Sequence, residues 1–448
     1  MNILLVGALS WNPERFISMC ERGHKLYGLW TRTMAWEQGP YKFGKDCIID
    51  ITLDTYAEKI KNEKIDIIYS LFQVYNPDLW ADVKGKDIPD VWTALRRIFS
   101  DRSRGLFDIP IVRHWGFDVH NLDTELVSAF DGHIFCNKEK HISWITSQNS
   151  KGFGIDLPYD PHTFMFMDSD LPKQEFMNDN FSKKLSDIDG QIHTACIGRP
   201  LGINYVEAAK RGIHIHIYCN NYDDIASMIA RQLSFQNLPA LIGTYVHIHP
   251  SLQTTVNSTW HEIKALKNRW VSEFSQYDAG WSYVHIKRGD FLEDKAVIPN
   301  RLSTYVLAGL PIISEQMPGY YRYDILREHG IQIDLDDYDG LQKGLKDKGF
   351  LLNKSESVKS CRNKFSFDYS IDDLIGYFER IRTIYHSRPA SEKKRVFTNN
   401  STRYRNLLCR YSRLKTLLFD QTLSILLLPK RKYISSLIQK DVRMKHYK

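Results

Sequence analysis

The side chains most suited to chemistry lie between residues 277 and 319. Asp278, Ala279 and Gly280 form a turn, and Pro299-Asn300-Arg301 then opens a short helix, expected over 301–308 and closed by Gly309. Pro suits the first helical position and Gly the one just past the last. The free N–H groups and positive dipole end at such a start suit a diphosphate. Arg301 adds a planar fork for phosphate oxygens, with Asn300, Ser303 and Thr304 beside it. Arg199, in Cys-Ile-Gly-Arg-Pro-Leu-Gly, follows another expected strand, and strand carboxyl ends are where open α/β sheets bind ligands. A second group sits in Arg-His-Trp-Gly-Phe-Asp-Val-His, where His114, Asp118 and His120 follow a strand. Asp118 or His114 is suited to take a proton from a hydroxyl, the other orienting it, with Asp131 in reserve. His214 with His216, and His247 with His249, form two H-x-H pairs. Alternate residues share a face of a strand, but no carboxylate or Cys completes either set, so no metal site is expected.

The 277–319 segment resembles the donor-nucleotide region of GT-B glycosyltransferases, where an Asp-Ala-Gly turn precedes Pro-Asn-Lys and then a Tyr…Ala-x-Gly-x-Pro pattern. Asp278, Ala279, Gly280, Pro299, Asn300, Tyr305, Ala308, Gly309 and Pro311 fit, and Arg301 replaces Lys. The resemblance implies an α/β fold of two Rossmann-like doubly wound domains facing a cleft. It implies a nucleotide-sugar donor as substrate, without a metal or other cofactor, held by Arg199, Asp278, Asn300, Arg301, Ser303 and Thr304. His249 joins them by its likeness to a His-x-x-hydrophobic loop of some family members. Many retaining members carry a glutamate immediately before the tyrosine and another about two helical turns earlier; here Thr304 and Ala296 stand there. That departure tilts the expectation to an inverting enzyme whose base, Asp118 or His114, lies in the first domain.

These residues need elements to hold them. Near-continuous apolar runs at 2–7, 25–30, 65–72, 109–115 and 132–137 read as strands of a parallel sheet buried on both faces. Helices are expected at 55–62 and 91–99. The polar stretch 172–190 reads as a linker. A second series follows: strand 192–197, helix 204–211, strand 213–219, a helix around 222–232 and strand 240–247. The expected domains are therefore 1–185 and 186–370, then a crossover helix at 371–385 and a tail at 386–448. Neither Gly7-Ala-Leu-Ser-Trp nor Gly198-Arg-Pro-Leu-Gly202 carries G-x-G-x-x-G, which argues against a nicotinamide dehydrogenase.

Composition bounds the rest. The 448 residues include seven scattered cysteines, never in a C-x-x-C pair, which suits reduced thiols. The apolar start has no basic leader and no small-residue cleavage site, and is expected to be a strand, not a signal peptide. The tail from His386 carries 16 Lys and Arg against 3 Asp and Glu, and the rest of the chain is net acidic. Tyr404, Leu407, Leu408, Tyr411, Leu414 and Leu418 recur at helical steps, flanked by Arg403, Arg405, Arg410, Arg413 and Lys415. Such a helix suits an anionic membrane surface; the run 423–428 is too short to span a bilayer, which takes about 20 apolar residues. The expectation is a cytoplasmic, peripherally membrane-bound enzyme that extends a lipid-linked glycan in surface-polysaccharide assembly. The alternatives are a catalytically silent nucleotide-sugar-binding or scaffold protein, and a nucleic-acid base glycosyltransferase. Nucleic acid is the less favoured partner, because no binding module is visible.

Overall fold

The computed structural model describes residues 1–7, 13–31, 47–71, 91–115, 124–150, 154–168, 171–198, 203–219, 241–250, 252, 260–282, 300–316, 318–319, 321–393 and 433. The chain divides into two compact units. Unit 1 comprises Met1–Lys173, Thr255–Ile263 and Phe367–Arg413; unit 2 comprises Gln174–Thr254, Lys264–Ser366 and Leu414–Lys448.

Unit 1 is built on strands β1 (Asn2–Gly7), β2 (Lys25–Trp30), β3 (Ile48–Ile51), β4 (Ile67–Ser70), β5 (Ile111–His114), β6 (Gly132–Phe135) and β7 (Phe164–Phe166). All described pairings are parallel, in the order β3-β2-β1-β4-β5-β6-β7. Side chains alternate across a strand, and β1 supplies both faces. Leu4 and Val6 pack under the helix Val91–Ser103 with Trp92, Leu95 and Phe99. Ile3 and Leu5 pack under Phe16 and Met19 of the helix Pro13–Glu21 and under Ile371, Leu374, Phe378 and Ile381 of the helix Phe367–Ser387. The last of these, expected as a crossover element, thus belongs to unit 1.

Unit 2 repeats the plan with β8 (Ile192–Ile197), β9 (Ile213–Tyr218), β10 (Val246–His249), β11 (Ala279–Trp281), β12 (Ile312–Ser314) and β13 (Gln332–Asp334). The order is β10-β9-β8-β11-β12-β13, again parallel throughout. One face carries Ile213, Ile215, Ile217, Val246 and Ile248. The other packs Ala195 and Ile312 against Leu302, Tyr305 and Val306 of the helix Asn300–Leu307.

Several expectations change. The strand placed at 240–247 is Val246–His249, because residues 241–245 turn first. Gly243 is left-handed with φ 88°, and the Leu241 carbonyl accepts the N–H groups of Thr244 and Tyr245. Stretch 172–190, expected as a linker, spans the division between the units at Lys173 and is held in place: the Arg362 guanidinium donates to the carbonyls of Met177 (2.8 Å) and Asn178 (3.0 Å) and to Asp179 (2.9 Å), and Phe176 is buried. Short edge strands β3 and β7 were not expected, since three or four residues with partly exposed faces leave little pattern. The helix expected near 222–232 lies outside the described residues.

One packing detail ties the helix Asn300–Leu307 to the sheet. A Cβ at Gly280 would lie 2.5 Å from Cδ1 and Cγ of the Tyr305 ring, so only glycine admits the ring over β11. Gly280→Ala is expected to cost about 1–3 kcal/mol by overpacking, read as a lower urea midpoint with an unchanged slope. A midpoint equal to wild type would mean that the ring can move aside.

Candidate active site

In open α/β sheets the ligand crevice opens at the carboxyl ends of the two strands where the order reverses. In unit 2 those strands are β8 and β11. Tyr305, fully buried, bridges them. Its hydroxyl accepts the Ile197 N–H (2.9 Å), and its own proton faces the carbonyls of Trp281 (3.0 Å) and Ala195 (3.2 Å). This fixes the first turns of the helix Asn300–Leu307 beside both strand ends.

Among the described residues, three polar groups there have buried atoms with no hydrogen-bond partner: Arg301 Nη1, Ser303 Oγ and, just past β11, Ser282 Oγ. Native proteins rarely leave such groups unsatisfied, and functional sites are a recurring reason when they do. Gly198, after β8, is left-handed with φ 73°, and an ideal Cβ there would lie 3.8 Å from Arg301 Nη2. The Arg301 guanidinium therefore lies along the same strand end. Burial lifts the Cys196 thiol to about 11, and the nearby Arg301 charge opposes this. A cation, two hydroxyls and a helix N-terminus converging on one edge suit an anionic oxygen group.

The structure separates the residues expected at this site. Arg301, Ser303 and the buried Thr304 share the first turns of one helix with Asn300. Arg199 lies outside the described residues. Asp278 sits at the opposite, amino-terminal edge of the sheet. Its carboxylate accepts from Ser186 Oγ and from the His193 N–H (2.8 Å), so it clamps strand starts and does not face the crevice edge. Burial raises its pKa, against the Ser186 hydrogen bond.

His249 belongs to an array that spacing only half disclosed. His193, on β8, joins both H-x-H pairs on one sheet face. His193 Nδ1 and His216 Nε2 are 2.9 Å apart, His216 Nδ1 and His249 Nε2 3.0 Å, and His214 Nδ1 and His247 Nε2 3.0 Å. Asp189 accepts from His193 Nε2 at 2.9 Å. A carboxylate only accepts, so with neutral rings each Nε2 carries the proton along Asp189–His193–His216–His249. The nitrogens thus serve one another, and among the described residues no group of three or more His, Cys, Asp or Glu side chains is arranged to hold a metal ion.

In unit 1 the order reverses between β1 and β4. His114, expected as a base, is buried here. Its Nδ1 lies 2.8 Å from the Tyr69 hydroxyl and 3.5 Å from Arg15 Nη1, and its ring also bonds the Met167 backbone. Burial, then the Arg15 and Arg113 charges, push its pKa well below the usual range. With both sides of the ring engaged, His114 is a packing residue. Asp131 is also structural: it accepts from Arg102, from Arg388 (2.8 Å) and from the Ile111 N–H (2.8 Å) at the strand starts. Asp118 and His120 lie outside the described residues, as do Arg403, Arg405, Arg410, Arg413 and Lys415. Among the described residues no helix is long and apolar enough to cross a membrane.

No protein-family model matches the sequence, and no curated protein sequence matches it. Solved structures match its fold. A glycosyltransferase from Rickettsia africae ESF-5 superposes with a TM-score of 0.52 at 9% identity, over 85% of this chain and 98% of that one. Sucrose-phosphate synthase from Thermosynechococcus elongatus gives 0.50 at 10% identity, over 87% of this chain and all of that one. At such identities the likeness is one of fold: two doubly wound α/β units, as in GT-B glycosyltransferases.

Burial lowers His214 and His114 from the ordinary imidazole value of 6.5 and, with the His141 charge, brings His133 down to about 3. The unfolded chain then binds more protons between about pH 3 and 6.5, so this stability is full above that window and lost as pH falls through it. The denaturation midpoint should drop on going from about pH 7.5 to about pH 5. His133 Nδ1 accepts the Trp115 indole N–H at 3.1 Å, and His133→Gln keeps an acceptor that does not titrate. That variant should show a shallower pH dependence; an unchanged slope would remove His133 from the account.

Proposed function

We propose that the protein is a glycosyltransferase that moves a sugar from a nucleotide-sugar donor to a hydroxyl acceptor. The observation that carries this reading is the set of buried groups without a partner among the described residues, Arg301 Nη1, Ser303 Oγ and Ser282 Oγ, at the switch point of unit 2. The fold shared with a glycosyltransferase and a sucrose-phosphate synthase supports it. In this reading the donor's diphosphate lies at the start of the helix Asn300–Leu307, and Arg199 supplies a second cation to it. As the bond from sugar to diphosphate breaks, the leaving oxygen gains negative charge. The Arg301 guanidinium and the free helix N–H groups stabilise that charge more than the ground state.

The transfer is inverting. Thr304 stands where many retaining relatives of this fold place a glutamate, so a base must take the acceptor proton as the hydroxyl attacks. Asp118 is the proposed base, His114 being committed to packing. Two variants separate the roles. Arg301→Ala is expected to weaken nucleoside diphosphate binding by about 1.5–3 kcal/mol, read by calorimetry. Asp118→Asn should keep that binding and slow transfer roughly 10²–10⁴-fold. Undiminished affinity in the first variant would dismiss the proposed diphosphate site, and a product of retained anomeric configuration would refute the base.

The acceptor is proposed to be a lipid-linked glycan of a surface polysaccharide, reached from the inner membrane face through the basic tail. The charge and leucine stripe of that tail support this. The full chain should sediment with phosphatidylglycerol vesicles, less so at high salt, and the chain ending at residue 401 should not. Equal sedimentation of both would take the tail out of the docking role.

A further inference from the structure

The described cysteines fall into two kinds. Cys136, Cys196, Cys219 and Cys361 are buried. Burial raises the thiols of Cys136, Cys196 and Cys361, the latter two to about 11, which keeps them protonated and unreactive. Cys20 and Cys47 are only half-buried and lie against each other. Cys20 is in the last turn of the helix Pro13–Glu21, and Cys47 immediately precedes β3.

Their thiols are interleaved. Cys20 Sγ donates to the Cys47 carbonyl at 3.2 Å, and Cys47 Sγ donates to the Phe16 carbonyl at 3.4 Å, one turn before Cys20 on the same helix. The neighbouring Cys47 lowers the Cys20 pKa, against burial and the Glu21 charge. Thiolate character and access decide which cysteines oxidise, and a low-pKa thiol beside a second thiol has its resolving partner in place.

We propose that Cys20 and Cys47 form a redox-modification site, joined into an intramolecular disulfide by an oxidant of the peroxide class. The Cys20 thiolate attacks one peroxide oxygen, the O–O bond breaks, and the other oxygen leaves as hydroxide and takes a proton to become water. The Cys47 sulfur then attacks the Cys20 sulfenic acid, an S–S bond forms, and the sulfenic oxygen departs as a second water. Two thiols lose two protons and two electrons, and one hydrogen peroxide becomes two waters. The bond needs an S–S separation of about 2.05 Å, so both side chains must rotate out of their carbonyl hydrogen bonds. It closes a loop containing β2 and fastens the helix Pro13–Glu21 to the start of β3. That helix carries Arg15, which donates to the Tyr69 hydroxyl at 3.0 Å beside the unit 1 switch point.

The test uses the full reduced chain, treated with hydrogen peroxide near stoichiometry, then alkylated, digested and analysed by mass spectrometry. A single peptide pair linked through Cys20 and Cys47 is expected, two mass units lighter than the reduced pair and reopened by dithiothreitol. The thermal midpoint of the oxidised chain should rise by a few degrees, because the closed loop restricts the unfolded state. Cys20→Ser should abolish both changes. Cys47→Ser should leave Cys20 as a sulfenic acid that dimedone traps. Cys20 and Cys47 still alkylated after peroxide, or cross-links running only between chains, would overturn the proposal. So would dimedone trapping at the four buried cysteines but not at Cys20.

Discussion

The Tyr305 hydroxyl holds the candidate site in place. One oxygen accepts from the Ile197 N–H and faces the carbonyls of Trp281 and Ala195, so a single side chain satisfies backbone groups at the ends of two strands. Unsatisfied buried backbone groups cost about 1–3 kcal/mol each. The ring reaches them because Gly280 has no Cβ. The helix that carries Tyr305 also carries Arg301 and Ser303. Anchoring the phenol therefore sets where the cation and hydroxyl stand, and a site built on regular elements keeps its geometry better than one on loops.

The two sheets handle buried polarity differently. In unit 1, Arg15, Arg113 and His114 lie within the core, and hydroxyls and a carbonyl take up several of the guanidinium donors: Arg113 Nη1 donates to Ser70 Oγ and to the Leu71 carbonyl, both at 2.6 Å. In unit 2, one face of β8, β9 and β10 is a sheet of imidazoles, in which His216, His247 and His249 each have Nε2 against Nδ1 of a neighbouring ring. Ring stacking adds to this; His216 and His247 lie 4.5 Å apart, and Tyr218 lies 4.6 Å from His249. Partly matched networks of this kind are costly in a low-dielectric interior, and here the rings match one another.

The alternation Ile-His-Ile-His-Ile-Tyr in β9 already said that one face was polar and the other apolar, because the side-chain period of a strand is two. It could not say what the histidines met. His193 sits outside any H-x-H pair, and only the parallel register that sets His193 beside His214 brings it into the array. In the same way, Asp278 stood in a recognisable turn, and its type suited a ligand contact. Its position one residue before β11 sends its carboxylate to the strand starts, where the His193 N–H waits.

Local pattern determined much about this protein by itself. Runs of Ile, Val and Leu buried on both faces gave parallel strands, and Pro299, Asn300 and Gly309 framed a helix whose first turn carries Arg301, Ser303 and Thr304. These are properties of neighbours along the chain, so the sequence states them directly. The tertiary structure decided which polar residues are spent on packing and which are left with unmet hydrogen bonds. His114, Asp131 and Asp278 all look chemically capable, yet each is held by partners from 20 to 85 positions away, and His249 Nε2 meets His216. Ser282 was unremarked in the sequence, and its buried hydroxyl at the end of β11 has no partner among the described residues. A hydrogen bond is settled by distance in space, and a sequence lists candidates for it without fixing who arrives.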